Sequence, residues 1–206
     1  MKRFEKSFKF KLVGFDFETL ENNPHSVFGL SKDLKLNYFN EAWLNFSQQN
    51  NGEPDISSKF TIGTSIELAI NGPIKDYYIN NYKKVLKDLK VWKHEYECSS
   101  PNLYRLFSQD VYPLKNAEGI IIINSLKIEK PFSINKDKDL TYSKIEYLNE
   151  NGTITQCTNC RRTKRIVELE IWDWVPSFVL EMPANVSHSI CQTCFDYYWM
   201  FRRNNK

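Results

Sequence analysis

Four cysteines near the C-terminus form two Cys-x-x-Cys pairs, Cys157-Thr158-Asn159-Cys160 and Cys191-Gln192-Thr193-Cys194, with 30 residues between them. A Cys-x-x-Cys turn aims two thiolates at one point. Two such turns supply the four tetrahedral ligands that Zn²⁺ accepts. One pair alone is a weak signal, whereas the two together predict a metal site built from Cys157, Cys160, Cys191 and Cys194. Four thiolates leave no open coordination position, so structural zinc is expected rather than a catalytic centre. A redox switch, in which oxidation of the thiolates ejects the metal, is the sharper alternative. An iron–sulfur cluster also accepts four cysteines, but paired knuckles favour zinc.

The neighbours of these cysteines bear on the same chemistry. His188 lies three residues before Cys191. It either replaces a cysteine as ligand or donates to a sulfur or carbonyl beside the site, and the second role is the commoner one. Arginine, not histidine, follows the first pair, so c-type haem attachment is not indicated. Arg161, Arg162, Lys164 and Arg165 stand directly after Cys160. Beside a site of formal charge −2 they would stabilise the thiolates. The alternative is contact with nucleic acid through Arg161, Arg162 and Arg165, although no long basic arm accompanies them. Cys98 stands alone and reads as a small buried hydrophobe on a strand. His25 and His94 are lone histidines that read as surface or satisfied side chains, with a haem ligand as the other reading.

Length and composition set bounds. The chain has 206 residues, 15% of them aromatic and 26% charged, and a net charge of +3. That is enough for one domain plus a small module, and too little charge to imply a nucleic-acid binder by itself. No run approaches the 18 apolar residues of a membrane span, and residues 1–10 lack the apolar region of a signal peptide. A cytoplasmic protein is therefore expected, in which reduced thiols favour metal over disulfides. No Gly-x-Ser-x-Gly, phosphate loop or dinucleotide fingerprint is present, so no enzymatic activity is expected.

The elements that must position these residues follow from periodicity. Residues 15–23 read as a short helix ending before Pro24. Residues 26–30 and 34–39 read as two strands joined at Ser31-Lys32-Asp33, and Asn40 as the N-cap of a helix carrying Trp43, Leu44 and Phe46. Residues 48–59 read as a loop, followed by a short helix near 66–70. A long amphipathic helix is expected over 74–89 and strands over 92–98, 103–111 and 119–128. The run Ile120-Ile121-Ile122-Ile123 suits a central strand buried on both faces. Beyond a polar linker at 131–146, Asn151-Gly152 predicts a hairpin over 147–156 whose second strand delivers Cys157. Trp172, Trp174 and Phe178 are expected in packing. Tyr197, Tyr198, Trp199 and Phe201 are expected on a C-terminal helix that packs or forms a dimer surface. Glu168, Glu170 and Asp173 read as solvent-facing alternation.

The order strand, strand, helices, long helix, three strands resembles a PAS domain over about residues 15–130. Asn23-Pro24 before the first strand, Tyr38-Phe39-Asn40-Glu41-Ala42-Trp43 at the exit of the second, and Ile62-Gly63-Thr64-Ser65 before the long helix carry the same resemblance. The later Cys-x-x-Cys-Arg-Arg, Trp172-Asp173-Trp174-Val175-Pro176 and Ser187-His188-x-x-Cys-x-x-Cys resemble the tails of bacterial PAS-containing signalling proteins. The resemblance implies an α+β fold, a PAS-like five-stranded antiparallel sheet flanked by helices, plus a small C-terminal four-cysteine zinc module. It divides the chain into an extension (1–14), a sensor domain (15–130), a linker (131–146) and the zinc module (147–206). A pocket between sheet and helices would face Trp43, Phe46, Tyr78 and Phe107, with its ligand unknown. The expected function is non-enzymatic signalling through a small ligand, a protein partner or a second copy of the chain. A nucleic-acid-binding regulator is the alternative, and a redox or haem sensor the second.

Overall fold

The computed structural model describes residues 2–132 and 144–200. Strands β1 (Ser26–Ser31), β2 (Leu36–Phe39), β3 (Trp92–Glu97), β4 (Leu103–Pro113) and β5 (Gly119–Pro131) form a sheet in the order β2-β1-β5-β4-β3. The expected α+β class and five-stranded antiparallel sheet are present. Helices α1 (Phe17–Glu21), α2 (Glu41–Gln49), α3 (Asp55–Lys59) and α4 (Ile74–Asp88) accompany it. The segment 48–59, expected to be a loop, contains the end of α2 and all of α3. Glu53 explains the difference, because its carboxylate accepts from Ser47 Oγ (2.7 Å) and from the Ser57 N–H (3.3 Å) and ties the two helices together.

The alternation of β5 divides the core. Ile120 and Ile122 pack with Phe28, Leu30, Ile79, Tyr82 and Val85 on the face covered by α4. Ile121 points the other way, toward Phe8, Val27 and Tyr38. A period of two thus buries both faces of one strand, as the isoleucine run predicts. Residues 1–14, read as an extension, belong to this packing. Phe4 bridges Tyr38 across the edge of β2, and Phe8 is fully buried. The Phe8 ring stacks on Tyr38 at 4.4 Å. It lies over Gly29, where a Cβ would come within 2.7 Å of Phe8 Cε2 and 2.5 Å of Asn37 Oδ1. The missing periodicity of 1–14 is that of a short 3-10 turn (Lys6–Lys11), which anchors through one aromatic ring and needs no stripe.

By packing, the chain divides into two units, one of Met1–Ile70, Lys75–Tyr96 and Phe107–Lys127, the other of Asn71–Ile74, Glu97–Leu106 and Ile128–Lys206. The second holds a four-stranded sheet of β6 (Ile154–Cys157), β7 (Thr163–Lys164), β8 (Trp172–Asp173) and β9 (Val186–Ser189) in the order β8-β7-β6-β9. Helix α5 (Pro176–Leu180) places Phe178 in a small core with Tyr147, Ile154 and Val175. The turn at Asn151-Gly152 is real, with Asn149 Oδ1 accepting from the Asn151 and Thr153 N–H groups. It does not make the expected hairpin. The residues before it, Lys144–Glu146, form a 3-10 turn, and β6 pairs with β7 and with β9 instead. Tyr147 decides this, since its ring is buried against Phe178 and its hydroxyl donates to Asp173 Oδ2 (2.8 Å). Most of the expected linker, 133–143, lies outside the described residues. No helix among the described residues is long and apolar enough to cross a membrane.

Asn40 does more than cap α2. Oδ1 accepts from the N–H groups of Trp43 and Val27 (3.0 Å each). Nδ2 points to the carbonyls of Leu20, Asn23 and His25 at 2.9–3.2 Å. The side chain is wholly buried, so truncation strands backbone groups where water cannot replace it. Asn40→Ala is expected to destabilise the first unit by about 3 kcal/mol or more, read as a lower urea midpoint at unchanged slope.

Candidate metal centre

The first knuckle closes through its own backbone. The Cys157 N–H donates to Arg162 O (2.8 Å) and the Arg161 N–H to Cys157 O (3.0 Å). This turn holds Arg161 at φ 64°, a left-handed conformation that usually calls for glycine. The Arg161 side chain is anchored there, with Nη2 donating to Val179 O (3.0 Å). In the second knuckle Cys191 sits at the N-cap of α6 (Gln192–Phe195), and its carbonyl accepts the Phe195 N–H at 2.8 Å. The two knuckles meet because β6 and β9 run parallel, with Cys157 level with Ser189. The Thr158 N–H donates to Ser189 O (2.9 Å) and continues that ladder into the knuckle.

The result is a cluster of Cys157, Cys160, Cys191 and Cys194, all buried, with their four sulfurs within 4.8 Å of one another. None is in a disulfide, and Cys160 and Cys191 Sγ are 3.6 Å apart. A disulfide would need about 2.05 Å. Four sulfurs at the Zn–S distance of about 2.3 Å from a tetrahedral centre lie about 3.8 Å from one another. The spacing therefore fits a shared cation, and the donor set is one that suits zinc.

Electrostatics agree with that fit. Hydrogen bonds from Cys160, Cys191 and Cys194, joined by the Cys191 N–H, pull Cys157 far below the ordinary thiol range against the effect of burial. The same hydrogen bonds to Cys157, with burial added, push Cys160 and Cys194 far above it. Cys157 raises Cys191, but Cys160 and Cys194 outweigh it and draw that thiol down as well. The four thus do not ionise alike, and a cation at the centre would let all of them do so.

Two residues around the sulfurs escaped the sequence reading. Asn159 donates through Nδ2 to Cys194 Sγ (3.3 Å), and its Oδ1 accepts from Tyr198 OH (2.7 Å). Asn159 was visible as an inner position of a Cys-x-x-Cys, but nothing in the spacing linked it to Tyr198, 39 residues on. Tyr198 lies in the π-helical turn Asp196–Met200 after α6; Phe201 falls outside the described residues. His188 is not brought to the sulfurs. It is exposed on β9 and stands level with Gln156.

The arginines turn inward. Burial opposes the charge of Arg162, but Cys160 and Glu97 outweigh it and raise its pKa. Arg165 bonds Asp173 and Glu168, which raise its pKa in turn. Asp173, read as solvent-facing, is half-buried and also accepts from Tyr147. Trp174 stacks on Phe132 at 4.6 Å and donates to Pro101 O (3.3 Å). Trp172 lies half-buried under Lys164 Nζ. Cys98 is half-buried just after β3, where burial raises its pKa against the nearby charges of Arg161 and Arg105.

In the first unit, Trp43 and Tyr78 pack against the inner core and Phe46 meets Phe107 edge-on at 5.6 Å. His94 is buried, its ring parallel to that of Trp92, with Nε2 3.1 Å from Tyr78 OH. His25 is half-buried at the start of the sheet.

No family model matches the chain, and no curated protein does. Among solved structures, the PAS domain of BvgS from Bordetella pertussis is 15% identical, covering 55% of this chain and 84% of that one with a TM-score of 0.40. The phage VqmA–DPO complex is 13% identical with a TM-score of 0.40; the match covers 53% of this chain and spans only half of that one. A PAS domain of an HTR-like protein from Haloarcula marismortui is 16% identical, covering 53% of this chain and 91% of that one with a TM-score of 0.31. At these identities the likeness concerns the fold alone.

Cys160→Ser is expected to abolish stoichiometric metal binding, whereas His188→Ala leaves it unchanged. Elemental analysis and the visible spectrum of the cobalt-substituted protein measure both. Loss of metal in the histidine variant would make His188 a ligand.

Proposed function

We propose that this chain is a non-enzymatic signalling protein whose five-stranded domain binds a small ligand or a protein partner and whose second unit is stapled by structural zinc. The observation that carries the zinc reading is the closed cluster of four buried sulfurs within 4.8 Å of one another. A site closed by four thiolates offers no position for a reacting water, which argues for a staple rather than a catalyst. Zinc suits the site because thiolate donors and tetrahedral geometry are its preferences. The staple matters because few large side chains form the core beside it. Structural zinc contributes on the order of 10 kcal/mol at neutral pH, comparable to burying several large side chains.

The sensing role rests on the strand order and on the aromatic inner face of the sheet. Trp92, His94 and Tyr96 occupy alternate positions of β3, opposite Tyr77 and Tyr78 of α4. A partner protein or a second copy of the chain is the output we favour, in the cytoplasm. A nucleic-acid role is disfavoured because Arg161, Arg162 and Arg165 are engaged with Val179, Glu97, Asp173 and Glu168. Native mass spectrometry with metal analysis tests the proposal, with one zinc per chain expected. A zinc-free, folded protein, or a salt-dependent mobility shift with DNA or RNA, would count against it.

Acidification supplies a further check. Metal binding requires deprotonated sulfur, so falling pH returns protons to the thiolates and weakens the site. Stability of the second unit is expected to be present near neutral pH and lost on acidification together with zinc. A metal indicator and near-ultraviolet circular dichroism, followed in one titration, should move together.

A further inference from the structure

Arg162 stands between the metal centre and a turn that begins 65 residues before it in the chain, at Glu97. Its carbonyl accepts the Cys157 N–H at 2.8 Å and closes the first knuckle. Its Nη1 lies 3.2 Å from Glu97 Oε2, with the glutamate side chain only 14% exposed. The second oxygen of Glu97 accepts from Ser99 Oγ (2.9 Å). That buried hydroxyl in turn accepts the Arg105 N–H at 3.2 Å. One line of hydrogen bonds therefore runs from the backbone of the first knuckle, through Arg162, Glu97 and Ser99, to the backbone of β4. Trp174 holds the tip of the same turn, through Pro101 O and through its stack on Phe132, whose N–H donates to Asn102 O (3.1 Å).

Metal acts on the knuckle end of this line. A loaded centre fixes Cys157 and Cys160, and with them the turn that the Arg162 carbonyl closes, so the arginine is held where it meets Glu97. An empty centre lets that turn open and leaves the Arg162–Glu97 pair without its support. We propose that Arg162 transmits metal occupancy to the turn between β3 and β4, so that loading the centre clamps Glu97–Leu106 and emptying it releases them. The proposal rests on the metal reading above.

Hydrogen exchange on the full chain tests it, with metal content measured on each sample. In metal-loaded Arg162→Ala, peptides over 97–106 are expected to exchange about tenfold faster, the loss that follows one charged hydrogen bond. Peptides over 157–160 and 191–194 should stay protected in that variant, which separates release of the turn from unfolding of the knuckles. Chelation of the wild type should release 97–106 to at least the same degree. If Arg162→Ala does not hold metal, Glu97→Gln decides on the same readout, because it leaves both knuckles and the arginine in place. A metal-loaded variant whose 97–106 exchange matches the wild type overturns the coupling. So does a wild type whose turn ignores chelation. A wild type that takes up no metal overturns the metal centre itself, and the coupling with it.

Discussion

Four sulfurs held within 4.8 Å of one another cannot be satisfied by themselves. As thiols they exchange weak hydrogen bonds, and as thiolates they repel one another in a buried site. The chain nevertheless spends two backbone turns, a left-handed arginine and a parallel strand pair on bringing them together. A cation would resolve the conflict, and the local structure is suited to hold one. Asn159 and the Cys191 N–H donate to the sulfurs, as groups around a negatively charged centre should.

The two units are held by different physics. The first has a sheet buried on both faces, with aromatic and aliphatic side chains in each layer and a buried asparagine that satisfies five backbone groups. Its stability comes from burial and from hydrogen bonds made where water is excluded. The second has strands of two to four residues, too short to hold register alone. Its order depends on cross-links between distant segments: the cysteine cluster, the Arg165–Asp173–Tyr147 set and the Trp174 stack.

Charge in the second unit is directed inward. A run of basic residues after a Cys-x-x-Cys knuckle invites a phosphate reading, yet each arginine of that run has a partner inside the protein. Glu97, which receives Arg162, and Asp173, one of the two carboxylates that receive Arg165, are themselves partly buried. A charge desolvated on one side and paired on the other is poorly placed to bind phosphate, because binding would first have to break that pair. The same inward pairing ties the first knuckle, which the Arg162 carbonyl closes, to Glu97.

Much of this was legible in the sequence wherever a local pattern has one physical meaning. Each Cys-x-x-Cys turn aims its own two sulfurs at one point because the spacing itself shapes the backbone, and the isoleucine run is buried on both faces because strand side chains alternate. Asn40 caps a helix because its side chain reaches the first free amides of that helix. The rest was settled by contacts between residues far apart in the chain. Periodicity cannot report that Phe8 covers Gly29, that Tyr147 breaks an expected hairpin, or that Glu97 receives Arg162. Nor can it distinguish an exposed His188 from one beside the sulfurs, since a parallel strand pair decides which way that residue faces. The residue types and their spacing specified the donor set; only tertiary structure chose the partners of the charges around it, because pairing energy depends on distance and burial, which a chain acquires when it folds.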